Sequence, residues 1–300
     1  MKNEKRALIL GLFAVLLWST VATAFKLTLK EFSPIQMLSV AIAISSVALG
    51  ITCYLQGKLN KVLKTFVTRP LYYLMLGLIN PLAYYLILFK SYALLPASQA
   101  QPLNYSWAIT LTIMASIFLG QKIRLQDWLA CIIGYLGVLV IATKGDIFSL
   151  EFDSPLGVSL ALLSTLLWAG YWILNAKNKA EPIVGLFLGF IISLPFAIIF
   201  SIIEGAKWEQ SLNSWIAVSY VGLFEMGFTF VLWLSALKAT NNTAKISNLI
   251  FISPFISLLL LAHIIREEIH ISTLIGLIMI IIGLIIQQFV KISPVAIRPK

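Results

Sequence analysis

The sequence predicts an all-α integral membrane protein of ten transmembrane helices, arranged as two inverted five-helix repeats. Three observations predict it. The chain of 300 residues is 60% hydrophobic and only 11% charged, it contains ten apolar runs of membrane length, and its two halves match weakly but in order. A soluble domain carries charge on about a quarter of its residues, and this chain has too few charges to cover a water-facing surface. The same figures exclude intrinsic disorder, which needs low hydrophobicity and high charge. The lipid bilayer is therefore the main solvent and the first partner.

The runs can be taken in order. The first, 7–25, follows Lys2, Lys5 and Arg6, and its Ala22-Thr23-Ala24 has the look of a leader cleavage site. It is long enough to span and its pattern recurs later, so it reads as the first helix. The second run is 32–57. The third, 71–89, contains Asn80-Pro81, and the run 91–121 finishes the third helix, turns at Leu95-Pro96 and continues as a fourth that holds Pro102. The fifth is 128–143, the sixth 154–176 and the seventh 182–203. The eighth, 210–237, is uncharged except for Glu225; the ninth, 246–265, holds Asn248 and Pro254; the tenth is 271–290. A membrane helix needs about 20 apolar residues, so each run qualifies. A membrane β-barrel would need alternating polar and apolar positions, which these runs lack. Loops are short, leaving no appended soluble domain. Cys53 and Cys131 lie inside apolar runs and read as small core residues.

Orientation follows from the basic residues. With the N-terminus inside, fifteen Lys and Arg fall on cytoplasmic segments, from Lys2 through Lys58, Lys61, Lys64 and Arg69 to Lys300. Five fall on the other side: Lys26, Lys30, Lys144, Lys207 and Arg266. Both termini are thus placed in the cytoplasm, and the expected location is the plasma membrane (the bacterial inner membrane) as a multi-pass protein. The formal charge of +10 is explained as a topology signal, and no nucleic-acid partner is needed.

The halves divide at 1–145 and 146–300. Trp18 and Trp168 each end a Leu-Leu-Trp sequence, and at one constant offset Gln121 matches Glu267, Ile123 matches Ile269, Ala130 matches Gly276 and Gly137 matches Gly283. Five spans per half is odd, so the second copy enters the membrane from the opposite face. That is the inverted-repeat plan of secondary transporters, whose site lies near mid-membrane between the repeats.

Several segments carry a family resemblance. Leu-Leu-Trp-Ser-Thr running to Lys26, and Leu-Leu-Trp-Ala-Gly-Tyr around Trp168, resemble the drug/metabolite transporter superfamily, EamA type. The joint Glu267-Glu268-Ile269 with Gly276 and Gly283 is similar to that family's Gly-Glu joint, with Arg266 in place of the glycine. Asn104-Tyr105-Ser106-Trp107, continuing to Gly120-Gln121-Lys122, resembles the aromatic amino acid exporter branch, with Ala108 where that branch has proline. The resemblance implies a ten-helix transporter of small organic solutes, and amino acid export. The family usually has a small residue at the position of Glu225.

Intramembrane polar groups are the site candidates, because leaving them unsatisfied in lipid costs several kcal/mol. Glu225 stands first: a charged acid at mid-membrane costs about 2.5–3.5 kcal/mol on insertion scales and usually marks a proton relay or a cation partner. It is expected to bind a substrate amine or to couple protons, against the plainer reading of a carboxyl paired with Lys90 or Lys245. Around Pro102 the fourth helix offers Gln99, Asn104, Tyr105 and Trp107, and Asn248 precedes Pro254. Trp18, Tyr84, Tyr85, Trp107, Trp168, Tyr171, Trp172 and Trp233 lie within spans, and an interfacial belt does not explain Trp18, Trp168 or Tyr171. A cavity lined by such rings would suit aromatic, amphipathic or cationic solutes, against the plainer reading of core filling. Lys26 and Lys90 read as snorkelling side chains, with gating or carboxylate binding as the alternative. His263, Glu267 and His270 have metal-like spacing but straddle a membrane-edge turn, so no metal is expected, and no cofactor. No nucleophile elbow, phosphate loop or paired carboxylates point to an enzyme. Gly134, Gly137, Gly276 and Gly283 fit close helix packing.

The expected function is a secondary active transporter moving a small-molecule solute by alternating access, as a monomer or homodimer, with protons as the candidate coupling ion. Alternatives are uptake of a metabolite or quaternary amine, and a membrane interaction subunit that moves nothing.

Overall fold

Helix α1 (Glu4–Thr28) starts where the Asn3 side chain accepts a hydrogen bond from the Arg6 amide at 2.9 Å. Helix α2 (Pro34–Leu55) starts with a capping box: Ser33 Oγ accepts from the Gln36 amide, and Gln36 Oε1 accepts from the Ser33 amide. Pro34 fills the first helical position, where a missing N–H costs nothing. The helix stops at Gly57, whose φ of 63° lets the Lys58 amide reach back to the Cys53 carbonyl at 2.8 Å. A short helix, α3 (Leu59–Thr68), lies between apolar runs. Six further long helices follow: α4 (Pro70–Leu94), α5 (Ala97–Leu119), α6 (Leu125–Ala142), α7 (Pro155–Asn175), α8 (Pro182–Ile203) and α9 (Leu212–Ala239). The chain then forms two shorter apolar helices, α10 (Leu249–Ile265) and α11 (Ile271–Gln287).

The computed structural model describes residues 3–123, 125–148, 152–176, 178, 180–241, 246 and 248–289, and among these no strand occurs. Among the described residues, eight helices are long and apolar enough to cross a membrane. The ninth and tenth apolar runs extend into residues outside the described set, as do Lys2, Arg124, Lys177, Lys179, Lys245, Lys291, Arg298 and Lys300 of the charge argument.

Two long helices break at mid-length. In α4, Asn80 leaves the helical region at φ −141°, ψ 120°, beside Pro81. Proline has no N–H for the carbonyl four residues back, which is that of Gly77; Ser193 Oγ of α8 donates to this oxygen at 2.7 Å instead. In α9 the helix widens to a π turn over Val221–Glu225 and resumes at Phe228. There Ser45 Oγ of α2 donates to the Gly222 carbonyl at 2.7 Å, and Thr229 Oγ1 donates to the Phe224 carbonyl. In lipid an exposed carbonyl has no water to turn to, so these hydroxyls hold both breaks open. Helix α5 has a milder break at Ser106, four residues after Pro102.

The main packing pairs are α6 with α11 and α2 with α8, while α1 lies against α9 and α10, and α7 against α4 and α5. The α6–α11 contact is set by glycine, as the sequence led us to expect. A Cβ placed on Gly137 would lie 2.5 Å from the Gly276 carbonyl oxygen, and one on Gly276 would strike Gly137. Gly137→Leu is therefore expected to force the helices apart and cost about 1–3 kcal/mol, the usual range for overpacking. Thermal unfolding of the detergent-solubilised chain checks this. Gly170→Ala is the control, since its nearest neighbour would be Met114 Cε at 3.7 Å. Cys53 and Cys131 are buried and unpaired.

Candidate functional site

The break in α4 places Tyr84 and Tyr85 at the start of the helix's second half, where both are buried. Tyr84 stacks on Trp168 of α7, with centroids 4.6 Å apart. Its hydroxyl donates to Asn104 Oδ1 of α5 at 3.3 Å, and Asn104 Nδ2 donates to Ser164 Oγ of α7 at 2.9 Å. Trp168 also meets Trp107 edge-on at 6.3 Å and Tyr171 stacked at 5.8 Å. On its other side it reaches Phe230 of α9 at 6.4 Å, and Phe230 meets Trp18 of α1 at 5.5 Å. Trp18 in turn contacts Trp233 at 5.4 Å. The rings make one connected chain across the bundle, from α1 through α9 to α7, α4 and α5.

Glu225 sits at the end of the α9 π turn, half-buried, and the Tyr85 hydroxyl donates to its Oε1 at 3.0 Å. Among the described residues it forms no ion pair. Lys90 is exposed, and Lys245 lies outside the described residues. A carboxyl beside an aromatic wall can take an amine or a proton, and the adjacent faces can take an apolar ring or a cation.

Of the sequence candidates, Trp18, Tyr84, Asn104, Trp107, Trp168, Tyr171 and Trp233 join this network, and Glu225 adjoins it through Tyr85. Gln99 does not: its Nε2 turns to Asp153 at 3.3 Å, beside the Lys144–Asp153 ion pair at 2.8 Å. Tyr105 is half-buried and enters none of the ring contacts that build the network among the described residues. The side chain of Asn248 lies outside the described residues. Phe230 and Ser164 belong to the network and were not singled out by sequence. Phe230 has the composition of a lipid-facing position, and Ser164 is one of many serines in apolar runs.

Lys26 corrects an expectation. It does not snorkel; its Nζ turns inward and donates to the Tyr92 and Leu95 carbonyls, both at 3.0 Å, at the open C-terminal end of α4. Glu267 acts on it electrostatically and accepts from the Ala97 and Ser98 amides at 3.1 and 2.7 Å, capping α5. A cation at a helix C-terminus and an anion at an N-terminus both match the helix dipoles. Among the described residues no group of three His, Cys, Asp or Glu side chains is placed to hold a metal.

The other end of the bundle is tied by Glu181, which takes Lys58 at 2.6 Å and Lys238 at 3.5 Å, linking the ends of α2 and α9 to the start of α8. The hydrogen bond from Lys58 holds the Glu181 carboxyl below its usual value of 4.5. A carboxyl lowered in the folded state stabilises it above the unfolded value, and that contribution is lost as pH falls through the lowered value. Glu181→Gln should therefore unfold at a lower temperature than wild type at neutral pH, by about 1 kcal/mol for a half-buried pair at the bundle's end. The two melting curves should converge on acidification.

A family model described as the EamA-like transporter family matches residues 5–143 and 155–287. The chain belongs to this family. It is a multi-pass membrane transporter, and among its relatives is the uncharacterized transporter YoaV of Bacillus subtilis, 23% identical over 93% of this chain and 96% of that protein. The aromatic amino acid exporter YddG of Ancylobacter novellus is 22% identical over 86% and 88%. The YddG exporter of Salmonella typhimurium is 24% identical over 94% of this chain and 96% of that protein. One crystal structure superposes with a TM-score of 0.67 over 96% of this chain and 98% of that one, at 18% identity, which is a likeness of fold.

Proposed function

We propose that this EamA-family chain is a secondary active transporter that exports a small amine-bearing organic solute, an amino acid or aromatic metabolite, by alternating access. The observation that carries the reading is the juxtaposition of Glu225 and Tyr85 with the ring chain that joins Trp18 to Trp168. The carboxylate takes the amine or a proton, and the Tyr84–Trp168–Tyr171 stack takes the apolar body. Relatives named as aromatic amino acid exporters favour the same cargo.

Counting α10 and α11 as spans gives ten, in two inverted repeats at 1–145 and 146–300. Matching α1 with α7, α2 with α8, α4 with α9, α5 with α10 and α6 with α11 leaves the packing scheme unchanged. The contacts of α1 with α9 and α10 become those of α7 with α4 and α5, while α2–α8 and α6–α11 map onto themselves. The two breaks match as well: Ser193 of α8 holds the Gly77 carbonyl of α4, and Ser45 of α2 holds the Gly222 carbonyl of α9. Such symmetry supports two interchangeable states, with the Lys26–Glu267 and Glu181 clusters as opposite closures. The excess of Lys and Arg supports cytoplasmic termini in a bacterial inner membrane.

A box of aromatic rings beside a carboxylate also fits a quaternary ammonium solute by cation–π contact, which makes uptake of such a cation the second reading. Comparing metabolites in medium and cytosol of cells with and without the protein separates the two. Export predicts that aromatic amino acids or related amines rise in the medium. A rise of a quaternary amine in the cytosol supports the second reading, and no change in any solute contradicts both.

A further inference from the structure

The short helix α3 contributes no residue to the ring network, yet its faces are sorted. Val62 and Phe66 pack on the protein core, while Leu59, Leu63 and Val67, one turn apart along the helix, are exposed at 43%, 70% and 65%. The exposed stripe continues onto Leu55 at the end of α2 and Leu71 at the start of α4. Helix α3 therefore sits where two antiparallel spans leave the bilayer, with half its apolar face against protein and half against lipid. Lys61 and Lys64 stand on its other face, and Arg69 follows its last turn.

Those three cations line a cleft of about 400 Å³ with Thr65 and Thr68, floored by Tyr72 and Tyr73. The floor is held in place: Tyr72 donates to the Leu174 carbonyl at 2.8 Å and Tyr73 to Asn178 Oδ1 at 3.1 Å. None of the three cations forms an ion pair among the described residues, and no Asp or Glu lines the cleft. The neighbouring acid, Glu181, is occupied by Lys58 and Lys238. An amphipathic helix of this kind lies in the interface plane, with its apolar face in the acyl boundary and its basic face drawn to anionic headgroups.

We propose that α3 is an interfacial helix and that Lys61, Lys64 and Arg69 form a binding site for the phosphate headgroup of an anionic phospholipid. The acyl chains of that lipid run along the Leu55–Leu63–Leu71 surface. Charge complementarity selects the anionic lipid, and the continuous apolar stripe selects a membrane lipid over a free phosphate. The site does not depend on which solute is carried.

Native mass spectrometry of the full-length protein, released from micelles containing phosphatidylglycerol or phosphatidylcholine, tests this. Wild type should retain phosphatidylglycerol at least tenfold more than phosphatidylcholine, and each of K61Q, K64Q and R69Q should lower that preference roughly five-fold, the effect expected of one basic residue near an anionic surface. All three residues are exposed, so the variants should melt with wild type. A Leu63→Trp reporter should be quenched by lipids brominated near the headgroup. Equal retention of the two lipids, an undiminished preference in the triple variant, or no quenching at Trp-substituted position 63 overturns the proposal. So does displacement of the lipid by millimolar inorganic phosphate, which would make the site one for a soluble anion.

Discussion

Glu225→Gln is expected to reduce solute flux by roughly ten- to a hundredfold and to flatten its dependence on pH. The amide keeps the size of the side chain and can still accept from the Tyr85 hydroxyl, now 3.0 Å from Oε1, so the α9 break should survive. What is lost is the charge. A hydrogen bond to a charged group is worth about 1.5–3 kcal/mol, and each 1.4 kcal/mol is about tenfold in binding. If Glu225 grips the substrate amine, flux measured in membrane vesicles falls through weaker binding. If it carries the coupling proton, accumulation driven by a pH gradient disappears while downhill exchange persists. Full, pH-dependent transport by the variant removes Glu225 from the mechanism.

Trp168→Ala should be the most damaging single aromatic change. Trp168 is 9% exposed and touches Tyr84, Trp107, Tyr171, Trp172 and Phe230, so its loss opens a cavity at the junction of the ring chain. Truncating a buried Trp costs about 3–5 kcal/mol, and the cost here should appear both as a lower unfolding temperature and as lost transport. Two variants separate packing from recognition. Trp168→Phe restores most of the volume and should recover stability before it recovers flux. Trp128→Ala, at a ring 50% exposed and outside the ring network, should leave both close to wild type. Normal flux in Trp168→Ala would place the substrate elsewhere.

The sequence made the helices legible because lipid imposes one rule, continuous apolar length. Among the described residues, eight of the runs fold as helices long enough to cross a membrane and two as shorter apolar helices. Pro81 accounts for the break in α4, since a ring nitrogen cannot donate. The matching break in α9 has no proline; it rests on a π turn and on Ser45 reaching from another helix, which no local pattern reveals. Glu225 was visible as a lone acid in an apolar run, and the deep Trp and Tyr residues as rings too far from the interface. The orientations of Gln99 and Lys26 are not legible in the sequence for one reason. Each sits near a helix end, where the partner that decides its orientation is a carbonyl, an amide or an acid distant in sequence. Helix α3 went unremarked because its ten residues are too few and too charged to register as a span.

Counterflow in vesicles holding the purified chain tests the central claim most directly. With unlabelled tryptophan inside and labelled tryptophan outside, wild type should accumulate label transiently and Trp168→Ala should not. Glu225→Gln should lose the overshoot if Glu225 grips the amine and keep it if Glu225 carries the coupling proton. Absence of counterflow for tryptophan, tyrosine and choline alike, or undiminished counterflow in both variants, contradicts a solute site built from Glu225 and the ring chain.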